Sequence, residues 1–306
     1  MTACSTSTAQ RLDWPAGATS HTTELDGPVH HLDFGGPRSA PVVLAVHGLG
    51  GSALNWGLLA PQLTATCRVL AVDLFGHGRS GVPTGRGGLV ADLAMLRRFV
   101  DEVVGGPVVL LGHSMGGVLA LRYAADHADT VTRLALLSPP VPGTTGRTDR
   151  ALQARRALLR VPGVAAVVRR ELARLTAEEL VDRQLDRATP HARRLSAAAV
   201  AASVAETRLR QAGPDAARAH AVQWAGILDT MALLSRADAW RSTLAGIGAP
   251  TLWLQGADDP MVAPGPAARL AATRPDWPFR LREGVGHLLA LEDPEWTAAQ
   301  LRAWLG

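Results

Sequence analysis

The chain has 306 residues, 47% hydrophobic and 19% charged, enough for one large core or a core with an insertion. Its formal charge is +4 with no lysine, and with aromatics at 4% and the arginines scattered among Ala, Leu and Glu there is no basic stripe interleaved with stacking rings, which excludes a nucleic-acid binder. No apolar run approaches the roughly 18 residues of a membrane helix, and "MTACSTSTAQRLDWPAG" has neither a basic start nor an apolar centre, so no spanning segment and no secretory leader are expected.

The N-terminal stretch is polar and is expected to be loose up to about Leu12. Of the two cysteines, Cys4 sits in that tail and Cys67 before an apolar run. Neither has metal-ligand spacing, and a reducing cytoplasm suits them. Residues 21–36 alternate loosely and end in Gly35-Gly36, which predicts two short antiparallel strands. Six further runs follow: "PVVLAV" from Pro41, "CRVLAVDL" from Cys67, "PVVLLG" from Pro107, "TRLALLS" from Thr132, "APTLWLQG" from Ala249 and the more polar "FRLREGVG" from Phe279. Short apolar runs ended by glycine or proline read as strands buried on both faces, and the last run belongs near an edge.

Helical patterns separate them. Leu89, Leu93, Leu96, Val100 and Val103 recur at three and four residues, and Val118, Leu121 and Ala125 do likewise. Asp293 and Pro294 read as N-cap and N1 of a final helix. Strand alternating with helix predicts an α/β chain with a mostly parallel, doubly wound sheet. Residues 141–246 break the pattern: they are rich in Ala, Arg and Leu, punctuated at Pro162-Gly163, Pro190 and Gly213-Pro214, and hold 17 Arg against 10 acidic residues. They predict a helical insertion, leaving residues 1–140 and 247–306 as the core.

In open parallel sheets ligands gather at the carboxyl ends of strands. That rule selects His47-Gly48-Leu49, Asp73, Ser114, Asp258-Asp259 and His287. Ser114 lies in Gly-His-Ser-Met-Gly between a strand and a helix, where glycines two before and two after give clearance for a sharp turn. A serine hydroxyl needs a base within hydrogen-bonding reach. His287, after a Gly-Val-Gly loop, can supply it, and Asp259 (preferred over Asp258 because Pro260 stiffens its turn) can hold the far ring nitrogen. The backbone N–H groups of Met115 and of Leu49, in "HGLGGS", are the candidate oxyanion donors. His77 and His113 read as structural turn residues; His21, His30, His31, His127, His191 and His220 read as surface or packing residues.

The motifs "HGLGGS", "DLFGHGRS", "GHSMGG", "GADDP" and "GVGH", in this order, resemble the α/β-hydrolase family, over about residues 21–140 and 247–306. The resemblance implies the α/β-hydrolase fold with a helical cap, Ser114 as nucleophile, Asp259 as acid and His287 as base, with no cofactor or metal. Serine rather than aspartate at the elbow argues against the epoxide hydrolase and haloalkane dehalogenase branches. The expected reaction is cleavage of a carboxylic ester or related small apolar or amphipathic acyl substrate, in the cytoplasm and without a membrane or nucleic-acid partner. Alternatives on the same residues are a C–C bond hydrolase, thioesterase, lactonase, perhydrolase, natural-product cyclase, or a non-catalytic ligand-binding protein. Trp224, Ile227, Leu228, Met231, Leu233 and Leu234 are candidates to line a pocket under the cap. The oligomeric state is left open.

Overall fold

A computed structural model describes residues 17–142 and 174–306, together with Gln10, Arg11, Trp14, Pro15 and scattered positions between 154 and 171. Cys4 and Pro162 lie outside the described residues. The described strands are β1 (Gln10–Arg11), β2 (Thr19–Glu24), β3 (Pro28–Asp33), β4 (Val42–Val46), β5 (Arg68–Val72), β6 (Val108–His113), β7 (Val131–Leu137), β8 (Thr251–Gly256) and β9 (Phe279–Arg282). They form one sheet in the order β1-β2-β3-β5-β4-β6-β7-β8-β9. β1, β2 and β3 pair antiparallel with one another, and β3 pairs antiparallel with β5. All other pairs are parallel. The expectation of a loose start up to Leu12 is corrected at Gln10 and Arg11, which pair with Ser20 and Thr19. Backbone hydrogen bonding to an open sheet edge orders these two residues without any apolar signal in their side chains.

The continuous apolar runs are explained by burial on both faces. Along β4, Leu44 and Val46 pack into one core cluster while Val43 and Ala45 pack into the other. The same period of two recurs in β6, where Leu110 faces one side and Val109 and Leu111 the other. The first face is covered by α1 (Leu89–Phe99) and α2 (Met115–Asp126) through Leu96, Phe99, Val118 and Leu121. Between β7 and β8 the insert carries α3 (Ala177–Ala188), α4 (Ala197–Ala212), α5 (Ala216–Leu234) and α6 (Ala237–Gly246). A helix α7 (Pro264–Ala271) follows β8. The second face is closed by α8 (Leu289–Glu292) and α9 (Pro294–Leu305), whose Leu289, Ala298 and Leu301 are buried there. Asp293 caps α9 by accepting the Trp296 N–H at 3.0 Å, with Pro294 at the first helical position.

β4 is flanked by β5 on one side and β6 on the other, so the chain winds away from it in opposite directions. The crevice at the carboxyl ends of β4 and β6 is therefore the switch point where an open sheet binds its ligands. His47-Gly48 leaves one of these strands and His113-Ser114 ends the other.

Candidate active site

Ser114 stands between β6 and α2 with φ 51° and ψ −122°. A non-glycine residue in this positive-φ region is strained by about 1–3 kcal/mol and is held there only by its surroundings. The surroundings are tight: the Ser114 N–H donates to Leu137 O at 3.0 Å, and its carbonyl accepts the N–H groups of Gly117 and Val118. Close approach explains the glycines. A Cβ on Gly116 would lie 2.3 Å from Val46 O, and one on Gly112 would lie 2.5 Å from Gly116 O. Both obstacles are backbone and cannot swing aside. Gly116→Ala is expected to destabilise the protein by roughly 3 kcal/mol or more, read as a fall in the urea midpoint.

The loop after β4 comes within contact of the elbow, since a Cβ on Gly48 would meet Ser114 Cβ at 2.9 Å. It is braced from beneath. The His47 ring is fully buried, accepting the Leu74 N–H at Nε2 (3.0 Å), so its Nδ1 carries the proton donated to Gly48 O (2.7 Å). Asp73, also buried, accepts the N–H of Ala53 at 2.6 Å and of Arg79 at 2.9 Å, and pairs with His30 Nδ1 at 2.6 Å. Burial alone would raise the Asp73 carboxyl; the hydrogen bond and charge of His30 outweigh it and hold the group below the ordinary carboxylate range. Leu49 is 44% exposed at the crevice and Met115 is buried at the start of α2, whose first N–H groups have no partner within the helix.

Opposite the elbow, His287 Nδ1 lies 2.8 Å from Asp259 Oδ2, and both side chains are buried. Asp259 Oδ2 also accepts Gln255 Nε2–H at 2.9 Å, while Oδ1 takes the N–H groups of Met261 and Val262 at 2.8 Å each. Burial raises this carboxyl, but the hydrogen bond and charge of His287, then the two backbone N–H groups, bring it below its usual value. His287 Nε2 is buried and has no partner within the protein. The carbonyl of His287 accepts Nε2–H of His113, the neighbour of Ser114, at 2.9 Å, and the two rings are 4.9 Å apart. The loop carrying His287 is thus tied to the elbow carrying Ser114. Asp258 faces the other way and binds His191 Nε2 at 2.7 Å.

Three other imidazoles are kept neutral. Burial first, then neighbouring histidines, lowers His31, His77 and His113 to about 3. For such groups the unfolded chain takes up protons, at a pKa near 6.5, while the folded protein does not. The contribution of these three groups to stability therefore falls as the pH drops from about 6.5 towards 3, whereas Asp92 and Glu206, which burial raises to about 7, act in the opposite sense as the pH drops from about 7 towards 4. Urea midpoints are expected to fall between pH 6 and pH 4.5, where the three imidazoles outweigh the two carboxyls.

The cap meets this floor at α3 and α5, and at α4 through Glu206, whose carboxyl bonds the Ser52 side chain. The side-chain amide of Gln184 on α3 rests against Gly50, and Gly226 on α5 faces Met115 Sδ, with a Cβ built there 3.7 Å away. Trp224, Leu228 and Met231 are half-buried on α5. At 3.6 residues per turn they project about 140–160° round the helix from Gly226. Leu234 and Leu233 pack into the core cluster on the α2 side of the sheet instead. Sequence reasoning missed Gln184 and Glu292, because neither carries a motif, and placed His30 and His191 among surface or packing residues although each pairs with an acid. Among the described residues no group of three His, Cys, Asp or Glu side chains is placed to hold a metal, and no helix is long and apolar enough to cross a membrane.

Residues 41–294 match the model of the alpha/beta hydrolase fold family. The chain is 35% identical over 127 residues to the dihydrolipoyllysine-residue acetyltransferase component of an acetoin cleaving system from Pseudomonas putida, covering 41% of this chain and 34% of that one. It is 38% identical over 112 residues to Lipase LipV of Mycobacterium tuberculosis, covering 36% and 42% of the two chains. It spans less than half the length of these curated relatives. Among solved structures, a putative lipase from Acinetobacter baumannii superposes with a TM-score of 0.74 at 23% identity, over 94% of this chain and 91% of that one. An esterase from Thermogutta terrifontis gives 0.71 at 23% identity, over 95% and 98%. With a family match that runs through every element from β4 to the start of α9, the chain belongs to the alpha/beta hydrolase fold family.

Proposed function

We propose that this protein is a serine hydrolase that cleaves a carboxylic ester or related acyl compound through an acyl-enzyme. The observation that carries the reading is the His287 Nε2 atom: buried, unpartnered, and fixed from behind by Asp259, on a loop bonded to the residue before Ser114. A protonated Nδ1 facing a carboxylate leaves Nε2 as the lone-pair nitrogen, which is what a general base requires. In this reading Ser114 attacks the carbonyl carbon and its proton passes to His287. The N–H groups of Met115 and Leu49 take the developing oxyanion. The imidazolium then protonates the leaving alcohol, and water, deprotonated by the same ring, releases the acid.

Serine at position 114 separates this chain from chemistry that needs a carboxylate nucleophile there, although a haloalkane dehalogenase of Mycobacterium marinum is 32% identical over 139 residues. The half-exposed Leu49 at the crevice favours an apolar or amphipathic acyl group. The test is labelling of the purified protein with a fluorophosphonate and mapping of the adduct. Modification at Ser114 alone, prevented by prior incubation with an ester substrate, is expected. A protein that resists the probe, or is modified at another serine, defeats the reading.

A further inference from the structure

Glu292 lies five residues past His287, in a part of the chain to which the proposed reaction gives no task. Its carboxylate is nonetheless committed on both oxygens. Oε2 accepts the Gly286 N–H at 2.8 Å and the Thr189 hydroxyl at 2.6 Å; Oε1 accepts the Leu288 N–H at 2.8 Å. The two backbone donors are the residues immediately before and after His287. The third partner comes from the cap, where Thr189 ends α3 in an extended conformation imposed by Pro190. The same strap holds the base itself, since Ala188 O accepts the His287 N–H at 2.9 Å. Gly286 packs so closely on Thr189 that a Cβ there would lie 2.6 Å from its Oγ1.

We propose that Glu292 is the positioning residue of the base, clamping the loop on either side of His287 and fastening it to the cap through Thr189. A carboxylate suits the task because it accepts on two oxygens and donates nothing, so three converging donors are satisfied at once. Charge-assisted hydrogen bonds to backbone N–H groups are about twice as strong as neutral ones. Rotation of the 286–288 backbone would swing the ring away from Ser114 and break its pair with Asp259. A polar cleft of about 310 Å³ lined by Glu292, Asp293, Arg282, Glu283, His191 and Arg194 lies beside the clamp. Water from that cleft can satisfy the freed donors, so loss of the carboxylate loosens the loop without unfolding the core.

The proposal rests on the serine-hydrolase reading for its kinetics, but the geometry is tested separately. Glu292→Ala and Glu292→Gln are compared with the parent for kcat and KM on an activated ester, for urea midpoint, and by proton NMR for the downfield signal of the hydrogen shared by His287 and Asp259. An ångström of misplacement is worth up to about 100-fold in rate, so kcat is expected to fall roughly 30- to 100-fold in Glu292→Ala with KM within about twofold. The amide of Glu292→Gln keeps one acceptor and turns its NH2 toward a donor, so its loss is smaller. The shared-proton signal broadens or disappears in Glu292→Ala at a temperature where the protein remains folded. Should that variant fail to fold, Glu292→Gln and Thr189→Val carry the same measurements, with a loss of about tenfold expected for each. Folded variants with unchanged kcat and an undisturbed signal overturn the proposal, as does a change confined to KM. A parent that never reacts with a fluorophosphonate instead defeats the hydrolase reading, and the NMR comparison then decides the clamp alone.

Discussion

Ser114→Ala is expected to lower kcat on an activated ester by about 10⁶-fold, because nucleophile and base act as a unit and removing one disables both. The residual rate reflects binding and the oxyanion donors alone. Stability moves the other way when the whole side chain is removed. Ser114 is held at φ 51° in a region that side chains avoid, and nothing within the protein is lost with its hydroxyl. Ser114→Gly removes the Cβ that makes this conformation unfavourable and is expected to raise stability by about 1 kcal/mol, visible as a higher urea midpoint. Activity lost with stability gained is the signature of a strained functional residue. A Ser114→Ala protein that retains a tenth of the parental turnover would show that the nucleophile lies elsewhere.

Asp259→Asn is expected to reduce kcat by about 10⁴-fold and to destabilise the fold by about 1–3 kcal/mol. Both effects come from one count of donors. Oδ2 faces the His287 Nδ1–H and the Gln255 amide, while Oδ1 faces the Met261 and Val262 N–H groups. An asparagine must present its NH2 to one of these pairs. Toward His287, it either breaks the bond or drives the ring into the tautomer with its proton on Nε2, useless as a base. Toward the backbone, it opposes two N–H groups that have no other partner. In the parent, the depressed carboxyl also sets an acid limit. Its stabilisation is complete above the ordinary aspartate pKa of 3.8 and is lost as the pH falls through its lower folded value. Asp258→Asn, at a carboxylate that pairs with His191, is expected to leave kcat within about threefold of the parent. Equal losses at positions 258 and 259 would contradict the pairing.

The core strands were legible because a strand buried on both faces is apolar at every position, whichever neighbour it pairs with. β4 is of this kind throughout, and β6 and β8 are so apart from His113 at the end of one and Thr251 and Gln255 in the other. β1 was not, since two residues joining an edge through their backbones leave no mark on side-chain pattern. The elbow was legible for a related reason. The clearance at Gly112 is demanded by Gly116 O of the same strand–turn–helix unit and that at Gly116 by Val46 O of the adjacent β4, yet both glycines fall within five consecutive residues. The cap residues show the limit of periodicity. A stripe that includes Trp224, Leu228 and Met231 can be read from spacing, but its direction depends on which face of α5 meets Gly76 and Met115, and Ala219, Val222 and Gly226 take those contacts.

The amino-acid sequence by itself determined the alternation of elements, the sharp turn at Ser114 and the short roster of side chains at the strand ends, since each follows from local spacing, apolar period or glycine clearance. Tertiary structure alone decided who partners whom: that Asp259 turns to His287 and Asp258 to His191, that Asp73 engages His30, and that Glu292 spans the base and the cap. A hydrogen bond is won or lost over a few tenths of an ångström. Such distances, between residues up to 103 positions apart, are set by sheet register and loop path, which no stretch of local pattern contains.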